Sequence, residues 1–260
     1  MKKIICFAIC ASICICFFPY SARTIEKVYA DGFNGATYEE TVKEEIFYDS
    51  KDEQEFYING SLPKYSDTNQ NPNSCANVAG SIVLGYYDKT YNELIPNFSS
   101  ARIIKDRILY ATQGVEVQNT IDSLYKKMKT NTVGNGTTAN GFKDGLKDYV
   151  NEKGLSITYS SVVKNEELDV QKYEQSILEE KPVVLFVSKY TLIDFSGIET
   201  TSGKDIYTKQ LYGGDHVLVA YGVRKIQYFD DEGNKLNDRI FLRVATGDKQ
   251  DSLGYILLDS

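Results

Sequence analysis

The residues with the clearest capacity for chemistry are one thiol and one imidazole. Cys75 opens an apolar run in Asn73-Ser74-Cys75-Ala76-Asn77-Val78-Ala79-Gly80. The chain's single histidine, His216, stands 141 positions later in Gly213-Gly214-Asp215-His216-Val217-Leu218-Val219-Ala220. A thiol at its free pKa of about 8.5 is a weak nucleophile, because the thiolate is the reactive form. The positive end of a helix dipole and a neighbouring imidazolium both favour the thiolate. The imidazolium can then hand its proton to a leaving amine. Taken singly, each residue also has a bland reading. A lone cysteine is commonly a buried, inert apolar side chain, and a lone histidine on an apolar strand is commonly a hydrogen-bonded core residue.

The beginning of the chain decides how many thiols count. Lys2 and Lys3 precede an almost unbroken apolar stretch from Ile4 to Phe18. That stretch is short of the ~20 residues a spanning helix needs, so residues 1–30 read as a signal peptide, cleaved after 22 or 30. Cys6, Cys10, Cys14 and Cys16 would leave with it, and five cysteines become one. A secreted chain with one cysteine has no internal disulfide framework, and its thiol needs a reason. None of Cys10, Cys14 and Cys16 follows the small residue that a lipoprotein site wants, so no stable membrane anchor is expected. Cleavage after Ala30 removes four of the 29 basic and one of the 36 acidic residues, leaving 25 against 35 and a net charge of −10. That balance argues against a nucleic-acid partner.

Periodicity then places the two residues on elements. Residues 31–60 are polar with short alternating pieces, an N-terminal hairpin or a short propeptide. In the run Cys75 to Tyr87, Val78, Ile82 and Tyr86 share one helical stripe, with Ser74 as the N-cap and Cys75 in the first turn. Helical spacing recurs in Val117 to Met128. It returns in a segment capped by Thr137 or Thr138 and stopped at Gly154, and in Val170 to Leu178. The pattern then switches to period two, with strands at Leu155–Tyr159, Pro182–Val187, His216–Val223, Ile240–Ala245 and Gly254–Leu258. Ser188 to Tyr212 reads as a long loop or loop-strand excursion, and Asp230 to Asn234 as a hairpin turn. The plan is α+β, with helices that carry the cysteine and a sheet that carries the histidine.

The blocks Asn73-Ser74-Cys75-Ala76 and Gly214-Asp215-His216-Val217-Leu218-Val219-Ala220-Tyr221-Gly222 resemble the Cys and His blocks of papain-like cysteine peptidases. Within that group the chain is most similar to secreted bacterial members resembling the bacteriocin-processing peptidases, over residues 61–260. The resemblance implies a papain-like two-lobe fold with a helical lobe and an antiparallel β-sheet lobe. It also implies a glutamine shortly before the cysteine that donates to the oxyanion. Gln70 lies five positions before and Asn69 six, and Gln70 is preferred. An Asn or Asp that orients the imidazole is implied as well, in a stretch that relatives write Val-Asn-x-Gly. Here the stretch is Val244-Ala245-Thr246-Gly247, so Ala245 occupies the orienting position. Thr246, Asp248, a backbone carbonyl or a water remain to fill that role.

The expected activity is that of a secreted, extracellular thiol endopeptidase acting on protein or peptide substrates through Cys75 and His216. The alternatives are a catalytically impaired papain-like binding module, for which Ala245 is the motive, and a cell-wall peptidoglycan amidase or endopeptidase. The latter enzymes place their histidine much nearer the cysteine. No cofactor is expected. One Cys and one His cannot complete a structural zinc site, and an acidic turn explains Asp230 to Asn234 more cheaply than calcium does. No phosphate loop, nucleophile elbow or dinucleotide fingerprint occurs.

Overall fold

Thirteen of the fourteen residues of helix α1, Cys75–Asp88, are buried, so this helix is surrounded rather than laid on a surface. Its sequence suits that position. Gly80 and Gly85 leave room for Met128 and Tyr65, whose side chains would lie 3.0 and 2.5 Å from a Cβ at those positions. Val78, Ile82, Val83, Leu84 and Tyr86 are each at most 2% exposed, and each large aliphatic buried this way contributes about 1.5–3 kcal/mol.

The computed structural model describes residues 11–17, 29–30, 37–164, 167–248 and 253–258. Before α1 come β1 (Ala11–Phe17), β2 (Tyr29–Ala30), β3 (Thr37–Phe47) and β4 (Ser50–Tyr57). After it come β5 (Ala101–Ile104), β6 (Arg107–Tyr110), α2 (Val115–Lys127), β7 (Thr137–Thr138) and α3 (Ala139–Glu152). The second half holds β8 (Ile157–Ser160), β9 (Val163–Lys164), β10 (Glu167–Leu168), α4 (Val170–Leu178) and β11 (Val183–Asp194). It ends with β12 (Ile198–Thr201), β13 (Lys204–Phe229), β14 (Lys235–Ala245) and β15 (Leu253–Leu258). This is a mixed α+β architecture, with four helices among the described residues. The expected leader lies outside the described residues apart from Ala11–Phe17, a strand parallel to β11 and β8, and Tyr29–Ala30, which pairs with β7. Both proposed cleavage points are therefore not addressed.

The sheet carries seven antiparallel strands, with β1 and β8 added in parallel beside β11. β11 pairs with β13, β13 with β14, β14 with β15, and β15 returns to the far end of β11. The sheet thus curls closed on itself. Two cores follow from this. The larger lies between the helices and one face of the sheet. The smaller, built from Ile193, Tyr207, Ile226, Tyr228, Phe241, Tyr255 and Leu257 with Ile46, fills the inside of the curl.

Three expectations need correction. Residues 31–60 hold no hairpin among the described residues: β3 and β4 pair with successive stretches of β13, 204–213 and 222–229, rather than with each other. The long β13 offers its edge to both strands, so the register is decided by a remote partner. Ser188 to Tyr212 is strand for most of its length, because β11 continues to Asp194 and β12 turns back through Gly203 (φ +73°) into β13. Ser74 holds the N-cap position of α1, yet its side chain caps nothing; its carbonyl accepts the first helical bond from Val78 N–H at 2.9 Å. Elsewhere the caps follow the sequence. Thr138 Oγ1 accepts from Gly141 N–H at 3.0 Å, Asp169 caps α4, and Gly154 follows α3 with φ +74°.

Candidate active site

Cys75 is the first residue of α1 and is 8% exposed. The first N–H groups of a helix have no carbonyl within it to bond. Those of Cys75, Ala76 and Asn77 stand at the positive end of the helix dipole, where the thiol also begins, and no acidic residue lies in the first turn to offset it. The helix start is held from behind. Asn77, fully buried, bonds Thr130 Oγ1 at 3.1 Å. The turn before the thiol is tied to α2 and the loop after it, from which Tyr125 and Asn131 respectively donate to the Pro72 carbonyl, both at 3.0 Å.

The approach loop is a second built piece. Asp67 takes backbone N–H bonds from Asn69 and Asn71, at 2.9 and 3.0 Å. Gln118 bridges Asp67 and Asp122 through Nε2 at 2.8 and 2.9 Å. Gln70 sits between the two tied amides with φ +54° and an exposed side chain. Asn69 is exposed too, but its side-chain amide is engaged with Asp122 at 2.9 Å. Of the two amides weighed for the oxyanion, that of Asn69 is thus held by α2.

His216 comes from the middle of β13, directly opposite Val187 of β11, and is 3% exposed. On the other side of β13, Val219 pairs with Ala245, the last residue of β14. The chain leaving β14 therefore passes beside the imidazole. His216 Nε2 lies 2.9 Å from the Thr246 carbonyl oxygen and 3.3 Å from Asp248 Oδ1. Both partners can only accept, so Nε2 carries the proton. Nδ1, on the opposite edge of the ring, is buried and has no partner of strict hydrogen-bond geometry. The Cys75 thiol is among the groups whose charge the imidazole feels. Burial alone would push the imidazole's pKa down. The Asp248 carboxylate, the Cys75 thiol and the Thr246 carbonyl outweigh it and raise the value from 6.5 to about 9.

Gly247 makes the double contact from Thr246 and Asp248 possible. Its φ is +76°, and a Cβ there would lie 2.8 Å from Val78 Cγ1 on α1, so the turn presses directly on the cysteine helix. Ala245 itself is buried at the end of β14 and makes no contribution to the ring. Sequence reasoning named Asp248 and a backbone carbonyl among four candidates; the structure brings both to Nε2. Asp215 is half-buried and, as the residue before His216 on β13, points to the opposite face of the sheet. The acidic turn at Asp230 is used internally, with Asp230 Oδ1 accepting from Asn234 N–H at 2.7 Å.

What sequence reasoning missed is an aromatic stack over the imidazole. Tyr190 of β11 lies parallel to Tyr212 of β13 at 5.0 Å between centroids, and at 5.8 Å and 20° to the His216 ring. The signal was present as tyrosines in Ser188 to Tyr212, a segment read as loop. A hollow lined by Pro96, Glu116, Asn119, Tyr149 and Lys153, between α2 and α3, shares no residue with the thiol–imidazole pair. No protein-family model, curated protein or solved structure matches the chain.

Proposed function

We propose that the chain is a secreted cysteine endopeptidase of papain-like arrangement, hydrolysing peptide bonds in protein or peptide substrates. The observation that carries this reading is the division of labour at His216. One ring nitrogen is bonded by Thr246 and Asp248, the other is buried and left unbonded, and the ring feels the Cys75 thiol at a helix N-terminus.

In this reading the Cys75 sulfur, as thiolate, attacks the scissile carbonyl carbon. The carbonyl π electrons move onto oxygen, which the free N–H groups of the first turn of α1 and the Gln70 amide receive. His216 Nδ1–H gives its proton to the leaving nitrogen as the carbon–nitrogen bond breaks, and an acyl-thioester remains. Water then adds to the thioester carbon, its proton going back to Nδ1, and the thiolate departs. Asp248 and the Thr246 carbonyl keep Nε2–H pointed away from the thiol, so Nδ1 is the working nitrogen throughout. The binding-only alternative was motivated by Ala245, and Thr246 and Asp248 supply the contacts that Ala245 cannot.

The direct test combines turnover with labelling. Wild-type protein should degrade an unfolded protein substrate, and a peptidyl epoxide or other thiol-directed electrophile should stop it with one label, located on Cys75. Labelling no faster than a free thiol peptide, together with no degradation, would refute the peptidase reading.

The pH dependence has a defined sign. A folded-state value raised above the unfolded one means the imidazolium stabilises the fold fully below about pH 6.5. That contribution is lost as pH rises through about 9. Because the proton on Nδ1 is also the one delivered to the leaving group, kcat/KM should fall on the alkaline side near pH 9. Asp248→Asn removes the carboxylate that raises the imidazole while Thr246 still accepts from Nε2. The alkaline limb should move to lower pH by about one unit, read from pH–rate profiles of both proteins. An unmoved limb would remove Asp248 from the site.

A further inference from the structure

Two buried polar atoms with no hydrogen-bond partner belong to rings that stack on one another and both feel the Cys75 thiol. One is His216 Nδ1, whose use is described above; the other is the Tyr190 hydroxyl. Tyr190 is 6% exposed. Its position is imposed by register: Tyr190 pairs with Tyr212 across β11 and β13, just beyond the register shift that follows the Val187–His216 pair. Stacking on Tyr212 and over the imidazole then fixes the ring plane. Burial, the Asp248 carboxylate, Tyr212 and the Cys75 thiol all push the Tyr190 phenol above its ordinary value. The hydroxyl therefore keeps its proton across the working pH range and can donate.

Buried hydroxyls nearly always have a partner, and an unpartnered one calls for an explanation. Tyr65 and Tyr110 also carry unpartnered hydroxyls, but their charged neighbours are Asp88 and Glu180, away from the thiol. Tyr190 alone of the three senses Cys75. Its ring lies on the imidazole, the group that serves the departing amine, whereas the helix N-terminus and Gln70 belong to the oxyanion.

We propose that the Tyr190 hydroxyl is a substrate-binding donor for the main-chain carbonyl immediately beyond the scissile bond, on the leaving-group side. This rests on the peptidase reading and adds a residue that selects for a continuing chain after the cleavage point. An endopeptidase substrate has that carbonyl; a substrate ending in an aromatic amine does not.

Tyr190→Phe tests it while keeping the stack. Two substrates are compared on both proteins: an internally quenched peptide that extends past the scissile bond, and a peptidyl aminomethylcoumarin with the same residues before it. The variant should lose about five- to tenfold in kcat/KM on the extended peptide and stay within about twofold of wild type on the coumarin. Its melting temperature should not fall, since an unpaired buried hydroxyl has been removed. Unchanged kinetics on both substrates would overturn the proposal, as would an equal loss on both, which would mean that the phenol acts on the imidazole. A wild-type protein that hydrolyses neither substrate overturns the underlying peptidase reading, and is distinguished because the failure appears before any substitution.

Discussion

Cys75→Ala should lower kcat/KM on an extended peptide by roughly 10⁴-fold or more, while the melting temperature stays within a few degrees of wild type. The size follows from what is lost. Alanine offers no nucleophile, and what remains is an N–H array and a buried imidazole that cannot form the acyl intermediate. Removing the base should be nearly as costly, so His216→Ala should fall by a similar factor. In the proposed mechanism the two residues act as one unit, and the imidazole feels the Cys75 thiol directly. The double variant should therefore be little worse than either single one, because such effects are grossly non-additive. The modest stability effect is expected because Cys75 is a small side chain at the edge of the larger core. Rates for wild type and the three variants, measured on one substrate, check this. Activity of Cys75→Ala near the wild-type level would mean that another group carries the chemistry.

The second large effect is on folding and lies on the far side of the sheet. Asp205 of β13 has a side chain with no exposed surface, and Lys51 of β4, 17% exposed, bonds it at 2.7 Å. Tyr228 and Tyr48 donate to the same carboxylate at 2.8 and 3.1 Å. Burial works against charge at both ends of this pair. The contacts from Lys51, Tyr228 and Thr200 outweigh burial and hold Asp205 below its ordinary value. The contact with Asp205 likewise raises Lys51.

Lys51→Met leaves a buried carboxylate without its counter-charge and should cost about 3–5 kcal/mol. In a chain of this size that is a fall in melting temperature on the order of 10 °C. Lys51→Met combined with Asp205→Asn should lose clearly less than the single change, since no unpaired charge remains. The sign with pH is also defined. A carboxyl held below its unfolded value stabilises above about pH 4 and loses that contribution as pH falls through the lowered value. The deficit of Lys51→Met should therefore shrink toward acid pH. Equal thermal stability of Lys51→Met and wild type at neutral pH would show that the pair does not anchor β4. The pair bears on the N-terminal strands directly: β4 supplies the lysine, so residues 50–57 are built into the charge balance of the sheet rather than laid over it.

The elements that read well from sequence are those whose signal is local. A 3.6-residue stripe bounded by caps or stops placed α1, α2, α3 and α4 to within two residues. The alternation around His216 put the imidazole on a strand, and the Asp230–Asn234 turn followed from side chains that bond their own backbone. From the same local signals came the two candidate groups, Cys75 at a helix start and His216 on a strand.

The tertiary structure decided everything that depends on strands meeting from distant parts of the chain. Ala245 lies beside Val219 only because β14 pairs with β13, and that register is what carries Thr246 and Asp248 to Nε2. The alternation in residues 37–57 signals strands but not their partner, and a one-residue slip would turn every side chain to the other face. Tyr190 and Tyr212 are 22 positions apart and look like loop residues until β11 and β13 bring them into stacked contact over the imidazole. The sequence alone thus determined which groups can react and on what kind of element each stands. Which nitrogen of His216 is bonded, what bonds it and what stacks against it were decided by pairing register, a long-range free-energy balance that no local period encodes.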